Sequence, residues 1–544
     1  VLCLAALFVL VVYPLGWLVA RSFATPDWHF TLDNLREALR TPRLRVGVIN
    51  TLTVSSLVSV VSAAAGLGLA LLSVRTRLAG RGLLRLLALA PFLCPPIIAS
   101  IAWTLLADPQ GGLLNVFLER LGCPWRFNIY SRTGLVFVSA LLTTPLSFLL
   151  LEGSVRQVSA ELEEQARLCG AGGWQSFRRV TLPLLLPAVT SAALLSFLQS
   201  NIHFGIHAPI GMPANIWMIT TLIYTSTMVG PVDLGAAAAL SFLLVAMGLA
   251  LLAAQLWLLR GRRFTLLTGK SRPPRPVEIG FWRYPAAAAV AVYLALAVVL
   301  PYGVLFLRSL VPYQRAGHWL NGAGAEAYRA LWETPVLVRA MTNSLLLGFA
   351  AAAACLVLAL AVGYVVFRTR LPGRGLVHSL VLAAPALSGV AIGVAFIFAF
   401  GTGPVPLYGT LWILLLAYVA RELSTAFKAL EGPSLQIDPH MEESAWLCGA
   451  SWAATGRRVL LPLLRPALAS GAALVFIAAF REIGASSMLF SHGSEVLGSQ
   501  MMVIWHDGRY RELSALAVVS AAVCLAVAGL MLWAGGKRDA WRTR

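Results

Sequence analysis

Two stretches of this chain carry acidic, small and helix-breaking residues at matching spacing. The first reads Glu164-Gln165-Ala166-Arg167-Leu168-Cys169-Gly170 and runs on to Val180-Thr181-Leu182-Pro183. The second reads Glu443-Ser444-Ala445-Trp446-Leu447-Cys448-Gly449 and runs on to Val459-Leu460-Leu461-Pro462. In both, Glu to Gly is six residues, Gly to Val ten, and Val to Pro three. A glutamate at the head of a short helix suits its positive end. The glycine breaks that helix, and a second short amphipathic helix is expected to end at the proline before the next apolar run. Ala166, Gly170, Ala445 and Gly449 are small enough for another protein's backbone to come close. Arg178, Arg179, Arg457 and Arg458 behind the break suit lipid headgroups or acidic partner residues. The chemistry is docking rather than catalysis. One such stretch would read as an interfacial helix pair; two copies with one internal spacing predict a duplicated docking site.

Other reactive residue types form no constellation. The seven cysteines stand singly, without CxxC or a His-rich partner segment, so neither a disulfide framework nor a metal site is expected. Gly269-Lys270-Ser271 imitates the end of a phosphate-binding loop, but Phe264 stands where the motif needs its first glycine. No nucleophile–base pair recurs, and no catalytic residue is predicted. Asn201, His203 and His207 in one apolar run, and Arg481 and Glu482 in another, are candidates for a solute path, because polar groups at membrane depth are functional suspects by default. An alternative reading makes Arg481 and Glu482 a structural pair.

The elements that must position these residues follow from composition. Of 544 residues, 58% are hydrophobic and only 12% charged, against about 25% charged in a soluble domain. Apolar runs of about 20 residues are needed to cross a bilayer as helix. Twelve are present, at 1–20, 47–73, 84–106, 134–152, 184–204, 233–259, 284–307, 343–366, 377–400, 407–420, 467–490 and 514–534. The first lacks a charged start and a cleavage site, and reads as a span rather than a removable signal. The net charge of +19 is mainly arginine in the loops that follow even-numbered spans. That places both termini in the cytoplasm, and the charge calls for membrane lipid rather than nucleic acid.

The segment 260–283, rich in Arg and Pro, divides the chain into modules at 1–259 and 284–544. The halves match. Asn50-Thr51-Leu52 recurs as Asn343-Ser344-Leu345, and Arg75-Thr76-Arg77-Leu78 as Arg368-Thr369-Arg370-Leu371, both offset by 293 residues. The docking stretches are offset by 279. Six spans per half give both halves the same orientation, a parallel repeat about an axis along the membrane normal. At offset 279, Asn201 and His203 fall opposite Phe480 and Glu482, so the halves present different chemistry.

The repeated stretch resembles the coupling loop of permease subunits of bacterial ATP-binding-cassette importers, whose pattern is Glu-Ala-Ala, three residues, Gly, nine residues, Ile, one residue, Leu-Pro. This chain departs from it at Gln165 and Ser444, and at Val180 and Val459. The double copy is similar to fused two-module permeases of the iron(III) and thiamine type. Phe127-Asn128-Ile129-Tyr130-Ser131, Phe204-Gly205-Ile206 and Arg481-Glu482-Ile483-Gly484-Ala485-Ser486 look most like the iron(III) branch. The resemblance implies an all-α membrane protein of about 12 transmembrane helices, two parallel six-helix repeats of the type I importer permease fold. It implies an inner-membrane transport subunit with no ATPase site and no cofactor of its own. Two cytoplasmic ATPase subunits would bind ATP and Mg, and a periplasmic binding protein would deliver the solute. Glu164, Ala166, Gly170 and Pro183 would belong to one coupling loop, and Glu443, Ala445, Gly449 and Pro462 to the other. Met501, Met502 and Trp505-His506-Asp507 are expected in an outer loop touching the binding protein. Thiamine, phosphonate and polyamine remain alternative solutes, and a self-sufficient secondary transporter an alternative class.

Overall fold

The computed structural model describes residues 2–25, 27–76, 91, 95–158, 160–260, 280–311, 323–384, 387–401 and 406–536. Most of the 260–283 segment, the run that follows Thr76 and the start of the third expected span lie outside the described residues. All named elements are helices. Nine of them, among the described residues, are long and apolar enough to cross a membrane. The other three expected spans are present in other forms. The third is represented by Pro96–Ala107, and the ninth is broken into Arg374–Ala383 and Gly389–Phe400. The tenth, expected at 407–420 with a possible extension to about residue 427, is the helix Leu411–Gln436. Its apolar run ends at Arg421-Glu422, but the helix continues because Arg421 is paired with Glu482 and lies 3.6 Å from Glu422. The eleventh, expected at 467–490, is Leu461–Phe480 and breaks at Arg481 before the short helix Ser486–Leu489.

The repeat holds at the level of single residues. Asp33–Arg40 and Pro42–Arg75 recur as Glu326–Glu333 and Pro335–Arg368, at the 293-residue offset of the sequence markers. Arg132–Gln157 recurs as Leu411–Gln436 at offset 279.

Packing gathers the chain into two compact units. One holds Arg40–Leu222 and Ala246–Ala323. Within it the second span, Pro42–Arg75, packs on Arg132–Gln157 and Leu182–Ile202, and the seventh-span helix Leu300–Leu310 lies against Pro96–Ala107. The other holds Val1–Leu39, Ile223–Val245 and Gly324–Arg544. There the eighth span, Pro335–Arg368, packs on Leu411–Gln436 and Leu461–Phe480, and the first-span helix Tyr13–Ser22 lies against Gly389–Phe400. Each unit thus takes the opening span of the other repeat.

Small residues make these helices pack closely. The second span buries Ser55, Ser59, Ser62, Ala63, Gly66, Ala70 and Ser73, spaced three or four apart on one face. With no hydrophobic drive between helices in lipid, close backbone approach and interhelical hydrogen bonds must hold them together. Ser59 Oγ donates to Ala193 O at 2.7 Å, and Ser55 Oγ to Asn201 Oδ1 at 2.7 Å.

Each long helix is clamped at both ends, by the residues that mark the repeat. At one end Asn50 Nδ2 donates to Trp217 O (3.0 Å), and the Thr51 hydroxyl accepts from Ile219 N (2.9 Å). In the second repeat Asn343 Nδ2 donates to Glu495 O (2.8 Å), and the Ser344 hydroxyl accepts from Leu497 N (2.8 Å). These hydroxyls satisfy N–H groups left free at the starts of Ile219–Met228 and Leu497–His506. In the second repeat this end is locked further: Arg339 donates to both carboxylate oxygens of Glu495, at 2.8 and 3.0 Å. Burial would raise the pKa of Glu495. Hydrogen bonds from Arg339 and from the Glu495 and Gly493 backbone, with the charge of Arg339, outweigh burial and hold it at about 2.

At the opposite end Arg75 pairs with Glu163 (3.0 Å) and donates to Val158 O (3.1 Å). Arg368 pairs with Glu442 (2.9 Å) and donates to Ile437 O (2.8 Å). The Arg368 and Glu442 side chains are only 14% and 6% exposed. Removing one partner of such a buried pair costs about 3–5 kcal/mol, because it leaves an uncompensated charge. Arg368→Leu is therefore expected to destabilise the purified chain by roughly that amount in denaturant unfolding. Arg368→Leu with Glu442→Leu should be markedly more stable than Arg368→Leu alone; additive losses would show that the two groups are uncoupled.

Candidate functional site

The two docking stretches fold alike. The helices Ala160–Leu168 and His440–Leu447 each stop at a glycine with positive φ, +85° at Gly170 and +80° at Gly449. Past it, Ala171 N donates to Ala166 O and Ala450 N to Ala445 O, both at 3.0 Å. This is the Schellman closure of a helix, so the carbonyl of the motif alanine closes the turn and the glycine is required by backbone conformation. A Cβ at either glycine would meet nothing within 4 Å, so the space above each turn is open to a partner.

The second helix of each stretch does not end at the proline. Gly173–Ile202 and Trp452–Phe480 are continuous helices that run through Pro183 and Pro462. The reason lies in the turn just before. Phe177–Thr181 and Gly456–Leu460 are wide π turns, closed by Leu182 N to Phe177 O and by Leu461 N to Gly456 O. A proline clashes with the carbonyl four residues earlier; in the wider turn the backbone is displaced and the helix carries on. The second helix of each stretch is thus continuous with the span that follows.

The structure separates two acidic residues that stand side by side in sequence. Glu164 and Glu443 are exposed, whereas their neighbours Glu163 and Glu442 make the ion pairs to Arg75 and Arg368. Glu163 also accepts from the Thr181 hydroxyl at 2.6 Å. Glu443 sits 2.9 Å from His440 Nδ1, and this hydrogen bond, then the charges of Asp438 and Glu443, raise the His440 pKa. Leu168 and Leu447, overlooked in sequence, are each 88% exposed at equivalent positions. They are the most exposed of the large apolar side chains among the described residues. The signal was available: a leucine two residues before the breaking glycine in both copies.

The candidate solute-path residues fall where the fifth and eleventh helices stop. Asn201 is buried and accepts from Ser55, and His203 follows the last residue of Leu182–Ile202. His207 is fully buried with Nδ1 2.8 Å from Thr220 Oγ1. In the second repeat Arg481 follows the last residue of Leu461–Phe480, and the buried Glu482 pairs with Arg421 of the tenth span. Its Oε1 accepts from Ala485 N at 2.8 Å. Gly389 makes room for this pair, since a side chain there would occupy the space of the Glu482 carboxylate and the Arg421 guanidinium. Met501 and Met502, expected in an outer loop, are buried in the helix Leu497–His506. Of Trp505-His506-Asp507, His506 and Asp507 are exposed and Trp505 is half-buried.

Comparisons with known proteins agree with this architecture. Residues 51–264 match the family described as "Binding-protein-dependent transport system inner membrane component". A protein of Haemophilus influenzae named as a ferric transport system permease, FbpB 1, is 26% identical over 509 residues, covering 91% of this chain and 78% of that one. The ferric transport system permease protein FbpB of Actinobacillus pleuropneumoniae is 25% identical over 503 residues, covering 90% of this chain and 71% of that one. The molybdenum transport system permease protein ModB of Escherichia coli K12 is 29% identical over 215 residues, which are 92% of that protein and 39% of this chain. Nearly all of a single permease thus fits into less than half of this chain, whereas the two FbpB proteins match it almost end to end. Residues 51–264 thus carry the domain of the inner-membrane components of binding-protein-dependent transport systems, and the chain has the two-module length of the ferric transport permeases to which it is similar over 91% and 90% of its residues.

Proposed function

We propose that this chain moves iron(III) from a periplasmic binding protein to the cytoplasm, driven by two copies of a separate ATPase subunit. The observation that carries the docking part is the pair of tied, exposed loops. Each presents a leucine and a glutamate on a short helix that an Arg–Glu pair fixes to a long span. Glu164, Ala166, Gly170 and Pro183 form one coupling loop, and Glu443, Ala445, Gly449 and Pro462 the other. ATP and Mg are held by the partner subunits. When ATP draws those subunits together, a tied loop must carry its spans with it, so the site opens to one side and then the other. Residues 1–259 and 284–544 act as the two modules, joined by 260–283. Asn201, His203, Arg481 and Glu482 lie on or beside the solute path. Iron(III) is favoured because both FbpB relatives are named for ferric transport and match some nine-tenths of this chain.

Three measurements test this. Replacing Leu168 and Leu447 with Arg should weaken ATPase binding by about 2 kcal/mol per loop, the scale of a buried anchor, or roughly 30-fold. Iron(III) uptake in cells holding the ATPase and binding protein should fall with it, while membrane insertion is kept. Undiminished uptake in the double variant would remove the docking role. Uptake of labelled iron(III) should be competed neither by thiamine nor by phosphonates or polyamines; the opposite result would reassign the solute. The cytoplasmic placement of both loops is tested by Cys169 and Cys448, which are exposed. A membrane-impermeant maleimide should label them in inside-out vesicles and leave them unlabelled in intact spheroplasts.

A further inference from the structure

The two repeats differ at the root of the coupling loop. In the second, a cavity of about 490 Å³ opens between the eighth, tenth and eleventh spans and the helix Trp452–Thr455. Its wall is apolar, with Tyr364, Phe367, Leu430, Trp452 and Leu464 prominent, and Gly456 lies at the wide turn that bounds it. Tyr364 and Trp452 meet edge to face, with centroids 5.5 Å apart. At the rim stand two arginines. Arg368 is engaged by Glu442, whereas Arg457 is exposed and makes no ion pair among the described residues.

The equivalent place in the first repeat is filled. At offset 279, Phe177 stands where Gly456 does and Val155 where Ser434 does. Val74, Leu151, Val155 and Leu185 form part of a buried apolar cluster there, closed over by Val290 and Tyr293 of the seventh span. The second repeat thus differs in two ways: Gly456 leaves out the side chain that Phe177 carries, and the first repeat's cluster is covered by Val290 and Tyr293.

We propose that this cavity holds one acyl chain of an anionic phospholipid, with the lipid phosphate on Arg457. The cavity has the volume of a small-molecule pocket, about 300–1,000 Å³. It lies where a span passes into the coupling loop, the depth at which aromatic side chains and arginines meet headgroups. Acyl chains are as apolar in the surrounding bilayer as in the cavity, so the tail alone gives little preference. Selection falls to the headgroup, and the unpaired guanidinium selects negative charge. A seated lipid would brace the second coupling loop where side-chain packing braces the first. The proposal rests on the permease reading only in placing this loop at the bilayer surface. Its test reads no transport, so the two can fail separately.

Trp452, in the cavity wall, supplies the probe. The full chain is placed in nanodiscs of phosphatidylcholine containing phosphatidylglycerol with brominated acyl chains, which quench tryptophan on contact. The fluorescence lost on Trp452→Phe isolates this residue from the other tryptophans. Trp452 emission should be quenched more by brominated phosphatidylglycerol than by phosphatidylcholine carrying the same chains. Gly456→Phe, which restores the residue of the first repeat, should abolish that quenching, and Arg457→Gln should abolish the preference for phosphatidylglycerol while chain quenching persists. Equal quenching in the parent chain and in Gly456→Phe would mean that only surrounding lipid is sensed, and would overturn the proposal. Equal quenching by the two lipids in the parent chain would overturn the anionic assignment.

Discussion

The ion pair between the end of a long membrane helix and the glutamate just before the motif glutamate, Arg75–Glu163 in one repeat and Arg368–Glu442 in the other, is what the remaining architecture relies on. A short helix such as His440–Leu447 has two turns of its own and would not hold a fixed direction in water. Joined to a helix running from Pro335 to Arg368, it inherits the direction of that helix. Arginine suits the task better than lysine. Its fork reaches the carboxylate and a backbone carbonyl of the loop together, Val158 O in one case and Ile437 O in the other. The π turn ahead of Pro183 or Pro462 then joins the loop to the following span without a break. A force applied to the second helix of the loop passes to the span through unbroken helix.

That constraint explains the pattern of repeat strength along the chain. Residues at both ends of the second and eighth spans are matched in type and in bonding. Asn50 and Asn343 hold a carbonyl of a distant segment, and Thr51 and Ser344 accept from a helix start. Between those ends, Ser55, Ser59, Ser62 and Gly66 fall opposite Gly348, Ala352, Cys355 and Ala359, all buried and alike only in being small, as close helix approach requires.

Much of this was legible in the sequence and some was not, for definable reasons. Periodicity and length gave the spans. The Asn-Thr and Arg-Thr-Arg markers showed the repeat, and the glycine six residues after a glutamate gave the loop break. What these markers bond to was hidden, since Asn50 and Trp217 are 167 residues apart and only the fold brings them together. The motif glutamate drew attention to Glu164 and Glu443, and away from Glu163 and Glu442, which look interchangeable with them until burial distinguishes one from the other. The prolines misled, because a proline reads as a helix end unless the preceding turn widens. The full reach of the tenth helix, to Gln436, was hidden because hydropathy cannot see that Arg421 is paired with Glu482, a residue 61 positions away.

The repeats agree where they must hold a loop and disagree where they face the interior. At the break of the fifth helix stand His203 and, nearby, the His207–Thr220 pair. At the break of the eleventh stands a buried ion pair, Arg421–Glu482, in space left open by Gly389. At offset 293 the residue opposite Gly389 is Pro96, whose ring would fill that space, and at offset 279 the residue opposite Arg421 is Leu142. The second repeat has therefore changed at three positions together: the cation, the carboxylate and the small residue between them. A buried pair gains little over apolar packing in net stability, since desolvation offsets most of the attraction. Three coordinated changes with so little gain in stability point to a local role for the charge itself. The loop ends of the two repeats, by contrast, keep the same bonds, Arg75 to Glu163 and Val158 O in one and Arg368 to Glu442 and Ile437 O in the other.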